Sequence, residues 1–217
     1  MVTAKRVNVA QDALLDPEGA VWNGVPQEAI ALEPTPLVLQ PSEYVQVKWA
    51  TLRHGVIPEV RVRAAHNGDV LCFRLEWDDP TDDSRPNDTA NFPDQAGVML
   101  PIGADAPIAE MGLPGQPVNM WLWRADVPTP FYVTATGRGT ATRHPDSPLR
   151  GAGVWRDGVW RITVARPFSV SLPADIVVPL SPGAQHKCTF AVWQGSNKER
   201  AGLKAYQPLW QPLEIER

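Results

Sequence analysis

Lys204 stands in the run GSNKERAGLKAYQPLW between Leu203 and Ala205, where an apolar strand gives way to a polar loop. Burial disfavours the ammonium form, and the neutral amine that results is a nucleophile or a metal ligand. Met111 is the second residue of this kind. It lies in PIGADAPIAEMGLPGQP, an irregular stretch broken by proline and glycine, and is followed by Gly112. Its thioether has no strand face to pack on there, whereas Met99 and Met120 fall in strand-like runs and read as core filler. A thioether from one loop and an amine from another could approach one iron from opposite sides, as the axial pair of a b-type haem. Thioether ligation favours the reduced iron and raises its potential.

Other chemistries have weaker support. No GxSxG elbow, HExxH, Walker A loop or helix-opening GxGxxG occurs, and a hydrolase would lack its nucleophile and base. The acidic run WDDPTDD, Trp77 to Asp83, does not match the spacing of a calcium loop and reads as a solvated loop closing a strand. His54, His66, His144 and His186 form no pair at ligand spacing, and the first two, each next to a turn signal, read as turn or surface residues. Cys72 and Cys188 sit in apolar alternating runs and read as core thiols, with a disulfide between them left open. Two cysteines cannot hold an iron-sulfur cluster or a four-cysteine zinc site, and without CxxCH a covalently attached haem is excluded. Most of the nine tryptophans fall in strands and read as core, but Trp121 and Trp123 share one face and could wall a flat ligand, haem or sugar. A tryptophan-rich sandwich that binds carbohydrate without metal is therefore the competing reading.

The elements that must position Met111 and Lys204 are strands. Twenty-three prolines and sixteen glycines interrupt helical periodicity along the chain and leave short extended runs between turns. Strands are expected over 42–50, 59–65, 69–77, 96–100, 118–125, 159–167 and 187–193. Asn67-Gly68 and Asp157-Gly158 are hairpin turns with positive φ angles. The resulting expectation is an all-β chain, an antiparallel β-sandwich whose long loops, 78–94, 101–117 and 127–153, are the functional segments. Residues 1–217 form a single domain, with 1–40 a Pro-rich segment wrapping the surface. A net charge of -4, from 20 basic and 24 acidic residues, offers no field for nucleic acid or an anionic membrane. No apolar run reaches membrane-spanning length, and the N-terminus lacks the apolar core of a secretory signal.

Three runs in order, RVRAAHNGDVLCFRLEWDDPTDD, FPDQAGVMLPIGADAPIAEMGLPGQPVNMWLWRAD and FAVWQGSNKERAGLKAYQPLW, cover roughly residues 40 to 213. Together they resemble the haem b subunit of ethylbenzene dehydrogenase and the gamma subunits of dimethylsulfide dehydrogenase, selenate reductase and chlorate reductase. The resemblance implies a β-sandwich holding one non-covalent haem b, and an electron-transfer role without catalysis. It also implies a heterotrimer with a molybdopterin catalytic subunit and an iron-sulfur subunit, an external electron carrier, and a periplasmic home; the chain's own N-terminus encodes no export signal, leaving a cytoplasmic one open. Carried over by motif, the axial ligands are Met111 and Lys204, with Lys198, in a more polar setting, the rival for the second place. Pro93-Asp94-Gln95-Ala96 departs from the family's Phe-Ala-Asp-Ala at a strand entry and touches neither ligand. Arg200 is a candidate partner for a haem propionate or for a surface carboxylate.

Overall fold

The computed structural model describes residues 1–217 apart from Asn87, Ala90, Ala104 and Asp105, so those parts of the loops 78–94 and 101–117 lie outside the described residues. The elements in chain order are β1 (Val2–Arg6), α1 (Gln11–Leu15), β2 (Glu28–Ala31), β3 (Glu33–Pro34), α2 (Glu43–Trp49), β4 (Glu59–His66), β5 (Val70–Asp78), β6 (Gln95–Pro101), β7 (Val118–Arg124), β8 (Phe131–Ala135), β9 (Thr142–His144), β10 (Arg150–Arg156), β11 (Val159–Pro167), β12 (Gln185–Trp193), β13 (Ala205–Tyr206) and β14 (Gln211–Ile215). The expected all-β sandwich is the observed architecture, built from one continuous strand path.

One layer runs β10-β11-β5-β4-β1-β14-β12 and the other β12-β6-β7-β8-β9. β12 belongs to both. Its first half, Gln185 to Cys188, pairs with β14, and its second half, Thr189 to Trp193, pairs with β6. The sheet is mixed rather than purely antiparallel, because β1 lies parallel to both β4 and β14. Between the layers, aromatic rings meet edge to face: Phe73 against Trp121 at 5.7 Å, Phe73 against Phe190 at 6.1 Å and Trp123 against Trp160 at 5.0 Å. Burial of such rings supplies both area and preferred geometry, and it fixes which face of β7 points inward.

The outer faces are covered too. On the first layer, Leu14, Trp22 and Val25 pack on Ala65, Val70, Cys72 and Ala165. That is why VLCF at the start of β5 reads as a continuous apolar run, both its faces being buried. The N-terminal segment thus contributes a central strand and a second small core besides crossing the surface. Cys72 and Cys188 are both buried and free, each in a different cluster.

Several local expectations differ from the structure. Where a strand was expected over 42–50, Glu43–Trp49 form helix α2: Lys48 lies over the Tyr44 ring at 5.7 Å, the i, i+4 contact of a helix, and the acid Glu43 and base Lys48 sit at the favourable ends. The loop 127–153 contains β8, β9 and the start of β10. In the Asn67-Gly68 turn only Gly68 takes positive φ, 100°, while the Asn67 side chain accepts from the Asp69 and Val70 amides. At the other hairpin both Asp157 and Gly158 have positive φ, 53° and 76°.

Candidate functional site

Strand register builds a cavity on the outer face of the second layer. Trp121 and Trp123 point between the layers, so Met120, Leu122 and Arg124 point outward. Across the neighbouring strands Met99 pairs with Met120, Gly97 with Leu122 and Gln95 with Arg124, and Thr189, Ala191 and Trp193 continue the three rows. The tryptophan wall expected at Trp121 and Trp123 is therefore displaced by one residue. A one-residue offset sends a side chain to the opposite face of the sheet.

The cavity above this floor has a volume of about 620 Å³, within the range of roughly 300–1,000 Å³ typical of small-molecule sites. A smaller recess of about 40 Å³ beneath it is lined by Gly97, Met111 and Lys204 among others. Walls come from the segment around Leu39, the loop bearing Met111, the loop bearing Arg138 and the loop 194–204. Gly97 leaves the centre of the floor without a side chain; a Cβ there would meet Leu122 and Trp193 at 3.7 Å, ordinary contact.

Met111 and Lys204 both line the cavity and the recess, whereas Lys198 is exposed and lines neither. Met111 occupies the left-handed region, φ 59°, followed by Gly112 at 86°. A side-chain-bearing residue there is strained by about 1–2 kcal/mol, and surrounding bonds hold it. The Met111 amide donates to the Ile108 carbonyl at 3.0 Å, and the Gly137 amide donates to the Met111 carbonyl at 3.1 Å. Gly112 is obligatory on space as well, since a Cβ would lie 2.7 Å from the Gln116 oxygen.

Lys204 is 8% exposed. Its ammonium has no hydrogen-bond or ion-pair partner among the described residues, and its one close charge-compatible neighbour is the Trp193 ring, 5.0 Å from Nζ to centroid. Desolvation pulls its pKa down to about 8. The backbone around it is fixed from the N-terminal side: the Thr35 amide donates to the Lys204 carbonyl at 3.1 Å, and the His54 ring meets the Thr35 carbonyl at 2.7 Å.

Two buried carboxylates that the sequence did not single out anchor the loop leading to Lys204. Glu199 is fully buried and accepts from the Gly55 amide at 2.7 Å, the Val56 amide at 3.2 Å and the Gln194 amide at 3.0 Å. Asp94, also fully buried, accepts from the Gly195 amide at 2.8 Å and the Trp160 indole at 2.9 Å. Burial, with the nearby Asp79 charge adding to it, pushes the Asp94 carboxyl up to about 7. The acidic run is accordingly only partly solvated, with Asp78 and Asp82 exposed and the other two acids tied to the loop 194–204. Asp79 is buried and accepts from the Gln194 side chain at 3.0 Å, and Asp83 accepts from the Ser196 amide at 2.8 Å. Among the described residues, no group of three or more His, Cys, Asp or Glu side chains is arranged to hold a metal ion.

The histidines also differ from expectation. His54 and His66 are buried rather than exposed in turns. His66 packs edge-on against Phe168, and His144 shares a 2.8 Å hydrogen bond with the Thr134 hydroxyl.

Fold and cavity together define a β-sandwich with a candidate site on the outer face of one layer. Comparison with known proteins assigns its lineage: the ethylbenzene dehydrogenase family profile matches residues 19–148, and the chain belongs to that family. A protein of Haloferax mediterranei carrying the provisional name respiratory nitrate reductase heme subunit ORF7 is 30% identical over 213 residues, covering 94% of this chain and 72% of its own. Chlorate reductase subunit gamma of Ideonella dechloratans is 33% identical over 208 residues, covering 95% and 82%. These similarities identify the chain as a member of the gamma-subunit family. Among solved structures, a family 9 carbohydrate binding module of Caldicellulosiruptor kristjanssonii in complex with glucose superposes with a TM-score of 0.53 at 9% identity, covering 100% of this chain and 96% of that one. At that identity the likeness concerns the fold alone.

Proposed function

We propose that this chain is an electron-transfer cytochrome subunit, holding one haem b non-covalently in the outer cavity, with Met111 and Lys204 as axial ligands. The observation that carries the reading is the Lys204 amine: buried, without a hydrogen-bond or ion-pair partner among the described residues, and facing an apolar cavity that the strained Met111 also lines. Taking the proton at pH 7 from an amine that titrates at about 8 costs on the order of 1 kcal/mol, against about 5 kcal/mol for one at the ordinary 10.5. The protein has thus met most of the cost of making lysine a ligand by burying it. Haem held by Met111 and Lys204 would supply a one-electron carrier and, with both side chains committed to it, would have no role in binding a substrate.

The names of the relatives support the wider setting. One is called a heme subunit of a nitrate reductase and another a gamma subunit of chlorate reductase. On that basis the chain serves as a non-catalytic member of a heterotrimer with a molybdopterin catalytic subunit and an iron-sulfur subunit, passing electrons to or from an external carrier, with the periplasm as the proposed compartment. Among the described residues, no helix is long and apolar enough to cross a membrane.

The test is an absorbance titration of the purified chain with haem, before and after dithionite. A six-coordinate low-spin spectrum with sharp reduced bands is expected. A chain that takes up no haem but retains affinity for sugars would overturn the reading in favour of a carbohydrate module. Against that module, seven of the nine tryptophans are buried and Trp193 alone among them lines the cavity.

A further inference from the structure

The cavity has two chemically unlike ends. At one, Met99, Met111 and Met120 cluster with Ile108, Val118 and Ala135. At the other, the row Trp193–Gln95–Arg124 leads to Phe131 on one side and Phe92 on the other. The described lining contains four guanidiniums, Arg124, Arg138, Arg143 and Arg200, and no carboxylate.

Two of the four are already engaged. Arg124 makes paired bonds to Asp126, 2.5 and 2.8 Å, and Arg138 donates to the Leu39 carbonyl. The other two lie over aromatic rings. Arg143 lies over the Phe131 ring at 4.1 Å and Arg200 over the Phe92 ring at 4.3 Å. Neither has a side-chain hydrogen bond or ion pair among the described residues. A guanidinium stacked on a ring keeps its donor fork free in its own plane, oriented without being satisfied, and that fork matches a carboxylate bidentately.

We propose that Arg143 and Arg200 are the carboxylate-binding residues of this cavity, selecting a flat ligand whose apolar body lies toward the methionine end and whose two carboxylates lie along the opposite edge. This rests on the haem reading, in which those carboxylates are the propionates. The departure at Pro93-Asp94 belongs to the same edge: it follows Phe92, and the buried Asp94 ties Gly195 of the Arg200 loop.

The experiment compares uptake of haem and of haem dimethyl ester, in which both carboxylates are masked, by the wild-type chain and by an Arg143→Gln/Arg200→Gln double variant. Both side chains are exposed, so the fold is expected to persist, as circular dichroism will check. The wild type is expected to bind haem about tenfold or more tightly than the ester, and the double variant to bind the two alike. An Arg143→Lys/Arg200→Lys variant, keeping charge without the fork, is expected to fall between. Equal wild-type affinity for haem and ester, or an undiminished preference in the double variant, overturns the arginine assignment while leaving six-coordinate haem binding intact. Uptake of neither porphyrin overturns the haem reading and this inference with it.

Discussion

Lys204 is costly to the ligand-free protein, and that cost is measurable. Between its folded value of about 8 and the ordinary 10.5 the unfolded chain holds more protons than the folded one, so stability contributed by this group rises as pH climbs through that window. Below about pH 8 the penalty is constant. Lys204→Met is therefore expected to stabilise the ligand-free chain at pH 7 by up to about 3 kcal/mol and to remove the rise between pH 8 and 10.5; urea unfolding at several pH values checks both. With haem bound, the same residue changes sign. Lys204→Ala is expected to lose the six-coordinate spectrum and its acid transition, since protons compete with iron for the amine. Lys198→Ala should leave both unchanged, its side chain lying outside the cavity. Lys204 was legible because Leu203 and Ala205 flank it in sequence. Glu199 was not, because a carboxylate inside SNKER looks solvated until Gly55 and Val56, distant in the chain, bring their amides to it.

At the scale of elements, the loop 194–204 is held both by its own Glu199, which takes amides from Gly55 and Val56, and by Asp79, Asp83 and Asp94 from another segment. Glu199→Ala would leave the Gly55, Val56 and Gln194 amides unpaired in the interior. A loss of about 3 kcal/mol is expected, with a larger proportional loss of haem affinity than in variants of the opposite layer; chemical unfolding and haem titration measure the two. Asp94 adds a pH dependence of its own. Its folded value, about 7, lies above the ordinary 3.8, so its contribution is fully present below about pH 4 and is lost as pH rises through 7. Thermal midpoints of the ligand-free chain are expected to fall between about pH 4 and 7, with Asp94→Asn flattening that slope. The sequence revealed most strands because alternation and turn residues agree in β4, β7 and β11, and because a β-branched and apolar run after a turn marks β5. It misread α2 because a short run of apolar residues fits both periods, and the Tyr44–Lys48 contact that decides for helix is visible only as i, i+4 spacing.

For the molecule as a whole, the β-sandwich core and the candidate cavity occupy opposite faces of the same strands. β7 gives Trp121 and Trp123 to the space between the layers and Met120, Leu122 and Arg124 to the cavity, so the aromatic packing that holds the layers together also sets the depth and chemistry of the floor. That division separates function from stability in a way a single substitution can test. Gly97 sits in the middle of the floor, and a Cβ there meets only ordinary contacts on the cavity side. Gly97→Leu would extend into the recess of about 40 Å³ shared by Met111 and Lys204 without entering the inter-layer core. Strand propensity favours the substitution, and the added side chain fills open space rather than packed interior. Haem uptake is therefore expected to fall by about tenfold or more while the thermal midpoint of the ligand-free chain moves by no more than about 4 °C. Normal uptake in Gly97→Leu would mean that the ligand does not rest on this floor, and a collapse in stability would mean that the floor is core after all.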